Sequence, residues 1–90
     1  MIKFMKYYVT DGSVKARVHY HTGTRIRDGR RYIVLFAKSF DDGRRLGEIL
    51  PDVYENDTDI QTDYFDEGKA YLFEDHHLYQ AAKQRAEGGR

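Results

Sequence analysis

Cysteine and tryptophan are absent from the 90 residues, and proline occurs once. Without cysteine there is no disulfide scaffold, no thiolate metal site and no thiol nucleophile. No uncharged apolar run approaches the roughly 20 residues of a membrane helix. The opening residues interleave Lys3 and Lys6 with Ile2, Phe4 and Met5, so they lack the continuous apolar stretch of roughly 7 to 15 residues of a secretory leader. A cytoplasmic protein without a membrane segment is expected. Also missing are a glycine-rich phosphate loop, a helix-turn-helix pattern, a zinc-finger spacing and an aromatic single-strand binding motif with its flanking basic residues, so no known nucleic-acid reader is evident. Ser13 and Ser39 stand in no nucleophile context. Catalysis is therefore not expected, and no cofactor or metal is assigned.

What is present is aromatic and charged. Eight Tyr and five Phe, within a 40% hydrophobic chain, supply enough apolar area for one core, and this length suits one domain. Residues 1–87 are read as that domain, with 88–90 as a tail. Charged residues reach 33% against roughly 25% in an average domain, so much of the surface is charged. The net charge is zero but unevenly spread. Residues 1–45 carry eleven Lys and Arg against four Asp, a net of +7. Residues 46–75 carry ten acids against Lys69 alone, a net of −9, and the last fifteen carry +2.

The first half alternates apolar and polar residues between Asp-Gly pairs, the pattern of strands joined by tight turns. Strands are expected over Ile2 to Val9, Ser13 to His21, and Tyr32 to Phe36. In the second, Val14, Ala16, Val18 and Tyr20 share one face, leaving Lys15, Arg17, His19 and His21 as a basic stripe on the other. The unbroken run Tyr32-Ile33-Val34-Leu35-Phe36 predicts a central strand covered on both faces. From Asp41 the spacing of Leu46, Ile49, Leu50 and Val53 turns helical, but Gly43, Gly47 and Pro51 limit the segment to one or two turns.

Thr58-Asp59-Ile60-Gln61 fits a capping box and predicts a short helix from Asp59 to about Asp66, closed by Gly68. The alternative is a strand over Asp59 to Phe65 with a hairpin at Asp66 to Gly68. Lys69 to Phe73 reads as a strand. Asp75 caps a last helix over His76 to Glu87, with Leu78, Ala81, Ala82 and Ala86 facing inward. The expected architecture is α+β: an antiparallel sheet of three to four strands with the C-terminal helix and one or two short helices on one face.

Three constellations bear on chemistry. Pro51-Asp52 followed by Glu67-Gly68-Lys69 resembles the PD...ExK pattern of metal-dependent nucleases, in which carboxylates hold Mg²⁺ and the lysine stabilises the hydrolysis. Metal-dependent hydrolysis is the least favoured reading, because carboxylates crowd this stretch and Glu67-Gly68 reads as a turn. His19 and His21, with Asp75, His76 and His77, have the right chemistry for Zn²⁺, but nothing in the spacing joins the two groups. The acidic stretch is the third. In a helix, Asp59, Asp63 and Glu67 would form one ridge, at a cost of roughly 0.2 to 0.5 kcal/mol per like-charge pair. No Lys or Arg lies between 46 and 68 to relieve it.

The leading expectation is thus a non-enzymatic interaction protein. Asp57, Asp59, Asp63, Asp66 and Glu67 supply charge, and Tyr54, Tyr64 and Phe65 supply buried area, for a partner protein with a basic surface. Regularly spaced carboxylates beside flat rings offer what nucleic acid offers a basic groove. In strategy this resembles small phage-borne inhibitors of DNA-acting defence complexes, the anti-CRISPR and anti-restriction proteins. The alternative is a nucleic-acid-associated module using Lys15, Arg17, Arg25, Arg27, Arg30 and Arg31.

Overall fold

The computed structural model describes residues 1–55 and 68–87. Six strands form one antiparallel sheet: β1 (Lys3–Phe4), β2 (Tyr8–Thr10), β3 (Lys15–Thr24), β4 (Arg31–Ala37), β5 (Tyr54–Glu55) and β6 (Lys69–Phe73), in the order β1-β2-β3-β4-β6-β5. Two helices, α1 (Phe40–Ile49) and α2 (Tyr79–Glu87), pack on one face. The α+β class and the C-terminal helix are as expected. The strand number is six rather than three to four, for two reasons.

First, the segment expected as one strand from Ile2 to Val9 folds back on itself. Phe4 and Val9 are both buried, yet residues five apart point to opposite faces of a continuous strand. The chain turns between them, and β1 and β2 pair with Phe4 opposite Val9. The Tyr20 hydroxyl donates to the Met5 carbonyl at 2.6 Å and fixes that corner. Second, residues 54 and 55 pair with β6 as an edge strand, Glu55 opposite Lys69.

The loop into β3 is longer than the two-residue turn expected, so Ser13 and Val14 stay outside the strand. The Asp11 carboxylate accepts from the Ser13 and Val14 amides, both at 2.8 Å, while Gly12 takes φ +102. β3 keeps its alternation, with Ala16 and Val18 buried and Lys15, Arg17, His19 and His21 exposed. β4 is central, and Ile33, Val34 and Leu35 are all buried, but the cover expected on both faces is found on one. Among the described residues both helices lie on the side of Ile33 and Leu35, and Tyr32 and Phe36 on the other side are only half-buried.

Helix α1 runs ten residues, longer than the one or two turns expected. Ser39 caps it, its hydroxyl accepting from the Asp42 amide at 3.1 Å and donating to the Asp42 carboxylate at 2.6 Å. Gly47 is a site of close approach: a Cβ there would lie 3.0 Å from the Tyr54 ring. Leu46, Ile49 and Leu50 are buried as predicted. Asp42 is 1% exposed and bridges helix to sheet, accepting from the Arg17 amide at 3.0 Å and from the Arg17 side chain at 2.9 and 3.1 Å.

Helix α2 begins at Tyr79 rather than His76. Asp75 is taken by Arg30 and does not cap it. Instead the His76 ring accepts from the Leu78 amide at 3.1 Å through Nδ1. The inward stripe is Tyr79, Ala82 and Ala86, while Ala81 is exposed. Arg85 donates to the Phe4 carbonyl at 2.8 Å and ties α2 to β1. The helix or strand expected over residues 59–66 lies outside the described residues. Gly68, expected in the left-handed region, has φ +83 and leads directly into β6. Among the described residues, no helix is long and apolar enough to cross a membrane.

Candidate functional site

With both helices on one face, the other face of the sheet carries the outward residues of β3, β4 and β6. Among the described residues no helix covers this face, and such a face of an antiparallel sheet is ordinarily polar. Here register alone lines up rings. Tyr32 sits opposite Phe73, Val34 opposite Tyr71, and His19 opposite Phe36. Tyr32 and Tyr71 meet edge to face at 5.3 Å, Tyr32 and Phe73 at 5.7 Å, and Tyr71 stacks with Phe73 at 6.4 Å. A second cluster joins His19, His21 and Phe36 with centroids 5.2 to 5.3 Å apart. Along β4, Tyr32 to Phe36 spans about 13 Å at roughly 3.3 Å per residue. Gly23 faces Tyr32, and a Cβ there would come within 2.5 Å of the Tyr32 hydroxyl. The missing side chain lets the ring lie over β3, so its orientation is fixed.

Cations border the first cluster. The Arg25 and Arg30 guanidiniums lie 4.4 and 4.8 Å from the Phe73 centroid, and the Lys69 ammonium lies 5.9 Å from that of Tyr71. An open cleft of about 1150 Å³ runs between the β3–β4 hairpin tip and the β5 edge, with Tyr32, Tyr71 and Phe73 in its lining and Arg25, Arg27 and Lys69 around it. Asp52 and Glu55 also line it. Arg25 is held by Asp28, whose carboxyl falls to about 2 because that guanidinium bonds it, while the same hydrogen bond raises Arg25.

The residues expected to bind partners are distributed as follows. Lys15 stands 4.5 Å over the Tyr8 ring. Arg17 pairs with Asp42, Arg25 with Asp28, Arg30 with Asp75, and Arg31 with Glu74 at 3.7 Å. The last two pairs join the basic and acidic blocks, which therefore partly neutralise each other. Arg27 is exposed beside the cleft. Tyr54 is half-buried, its ring packed over Gly47 and Gly68. Asp57, Asp59, Asp63, Tyr64, Phe65, Asp66 and Glu67 lie outside the described residues.

For the hydrolase motif, Asp52 is engaged by His76, Nε2 to Oδ2 at 2.9 Å, and that hydrogen bond lowers its carboxyl below the ordinary range. Because His76 Nδ1 accepts from Leu78, Nε2 carries the proton to Asp52. Glu67 is outside the described residues. His19 and His21 lie on the open sheet face, while His76 stacks on His77 at 4.5 Å in the turn before α2. Among the described residues no three histidines or carboxylates are grouped to hold a metal ion.

No family model, curated protein or solved structure matches this chain.

Tyr32, Tyr71, Phe73 and Phe36 were not singled out in the sequence because no contiguous motif holds them. A signal was nevertheless available. In β4 and β6 the aromatics share one parity, Tyr32, Phe36, Tyr71 and Phe73, and the aliphatics Ile33, Leu35 and Leu72 take the other.

Proposed function

We propose that this chain is a non-enzymatic module that binds single-stranded nucleic acid across the outer face of its sheet. The observation that carries this reading is one cleft combining the Tyr32, Tyr71 and Phe73 rings with Arg25, Arg27 and Lys69. Bases stack on aromatic faces with little regard to sequence, each worth roughly 1 to 3 kcal/mol, while cations follow the phosphates. Phe73, covered by two guanidiniums, positions the cations; Tyr32 and Tyr71 take the bases. Of the earlier basic candidates, Arg25, Arg27 and Arg30 belong to this surface, whereas Arg17 is committed to holding α1 against β3.

Fluorescence anisotropy with a labelled oligothymidylate tests the reading. Tyr71→Ala and Tyr32→Ala are each expected to weaken binding about tenfold, within the range of one stacked base, without unfolding the domain. With two or three phosphates neutralised, log affinity against log salt should slope by roughly −1.4 to −2.1. Unchanged affinity in both variants would remove the aromatic face from the interaction.

A second reading retains the acidic stretch as a contact for a basic protein, in the manner of phage or mobile-element inhibitors. Its support is the run of five acids among residues 57–67 with no Lys or Arg between them. Affinity capture from nuclease-treated extract, with wild type beside an Asp59→Lys, Asp63→Lys, Glu67→Lys variant, separates the readings. A basic protein retained by wild type alone supports the acidic contact, and identical retention by both forms rejects it.

A further inference from the structure

At the tip of the β3–β4 hairpin, Ile26 is 99% exposed, the largest exposure among the large hydrophobic residues described. A lone apolar side chain on a surface ordinarily needs no explanation. The backbone beneath this one is held rigid. The Arg25 amide donates to the Arg30 carbonyl at 2.8 Å, the Gly29 amide to the Arg25 carbonyl at 2.7 Å, and the Arg30 amide to Asp28 at 3.2 Å. Gly29 supplies the left-handed φ of +72, and the Arg25–Asp28 ion pair spans the turn. The tip is thus built in advance, and Ile26 takes no part in building it. It is flanked by Arg25 and Arg27, and all three border the cleft that holds Tyr32, Tyr71 and Phe73.

Apolar wedges of this kind, set among arginines, enter nucleic acid by unstacking a base step, with the neighbouring phosphates held by the cations. Resting on the single-strand reading above, we propose that the ligand is a junction between duplex and single strand. Ile26 abuts the terminal base pair, Arg27 holds a phosphate on the duplex side, and the unpaired strand continues over Tyr32 and Tyr71. The cations on both sides of Ile26 favour a nucleic-acid end over an apolar protein surface, which would have to desolvate them.

The test compares three labelled ligands: an oligothymidylate, a blunt duplex, and the same duplex with an oligothymidylate overhang. Each is titrated with wild type, Ile26→Ser and Ile26→Leu. The overhang duplex is expected to bind about tenfold more tightly than the single strand, the worth of about one further stacking contact. Ile26→Ser should abolish that preference and leave single-strand affinity unchanged; Ile26→Leu should keep it. Because Ile26 is fully exposed, neither variant endangers the fold. Equal affinity for overhang and single strand, or a preference that survives Ile26→Ser, overturns the wedge and leaves the aromatic-face reading standing. Absence of binding to every oligonucleotide overturns both. Co-sedimentation with anionic vesicles that Ile26→Ser abolishes, without any effect of that variant on the oligonucleotides, assigns the tip to a lipid surface and also overturns the wedge.

Discussion

Asp42→Ala is expected to cost about 3 kcal/mol of stability, one of the two largest single-residue effects foreseen for this fold. The carboxylate is almost wholly enclosed and accepts from the Arg17 amide, the Arg17 guanidinium and the Ser39 hydroxyl. Truncation leaves a partly buried amide without its acceptor, worth roughly 1 to 3 kcal/mol. It also removes a negative charge from the first turn of α1, worth about 0.3 to 1 kcal/mol. The guanidinium itself is 66% exposed and rehydrates, so the ion pair adds little. For a domain of this size the combined loss lowers Tm by roughly 12 to 24 °C, measurable by thermal denaturation with circular dichroism. A loss under about 1 kcal/mol would show that the Ser39-Asp42-Arg17 link does not join helix to sheet.

The same residue gives the fold a pH dependence of definite sign. Burial pushes the Asp42 carboxyl up, but the hydrogen bonds from Ser39 and Arg17 outweigh it and hold the group below its ordinary value of 3.8. A depressed folded-state pKa means that its stabilisation is complete above the unfolded value and is lost as pH falls through the folded one. Wild type should therefore lose stability below about pH 4. In Asp42→Asn this part of the loss disappears, visible as a shallower acid limb in urea denaturation.

Gly68→Ala is expected to cost about 2 to 5 kcal/mol through two separable effects. A φ of +83 penalises any L side chain, by roughly 1 to 2 kcal/mol. The new Cβ would also press on the Tyr54 hydroxyl and lie 2.7 Å from Cε1 of that ring, an overpacking cost of roughly 1 to 3 kcal/mol. Removing the ring separates the two. In a Tyr54→Ala background, Gly68→Ala should cost only the backbone part, about 1 to 2 kcal/mol. Strict additivity of the two substitutions in urea denaturation would mean that Tyr54 does not rest on Gly68.

Much of this fold was readable from residue pattern, because the pattern reports burial directly. The alternation in β3, the continuous run in β4 and the Lys69–Phe73 strand all appear where period and composition placed them. What failed were local rules overridden by contacts distant in sequence. Asp75 has the residue type of a helix cap but is drawn to Arg30, so α2 starts later, at a turn bonded by His76. Gly43 and Gly47 suggested a short α1; Gly43 is instead buried within the helix, Gly47 is a place where it approaches Tyr54 closely, and Ser39 starts the helix.

The site was legible in part. The basic residues were visible as a block in the chain, but their partners were not, since pairs such as Arg30–Asp75 require the fold. The aromatic cluster brings together residues as distant as Tyr32 and Tyr71. Only strand register makes them neighbours, and a search for contiguous motifs passes over them. The parity of aromatics within β4 and β6 was the one trace of the cluster in the sequence.

The most direct test of the single-strand reading is a titration of the isotopically labelled protein with unlabelled oligothymidylate, followed by amide and aromatic NMR shifts. Changes concentrated at Gly23, Arg25, Arg27, Tyr32, Tyr71 and Phe73, with the amides of α1 and α2 unmoved, are the expected result. Absence of shifts at saturating oligonucleotide, or shifts confined to the helical face, would contradict binding on the open sheet.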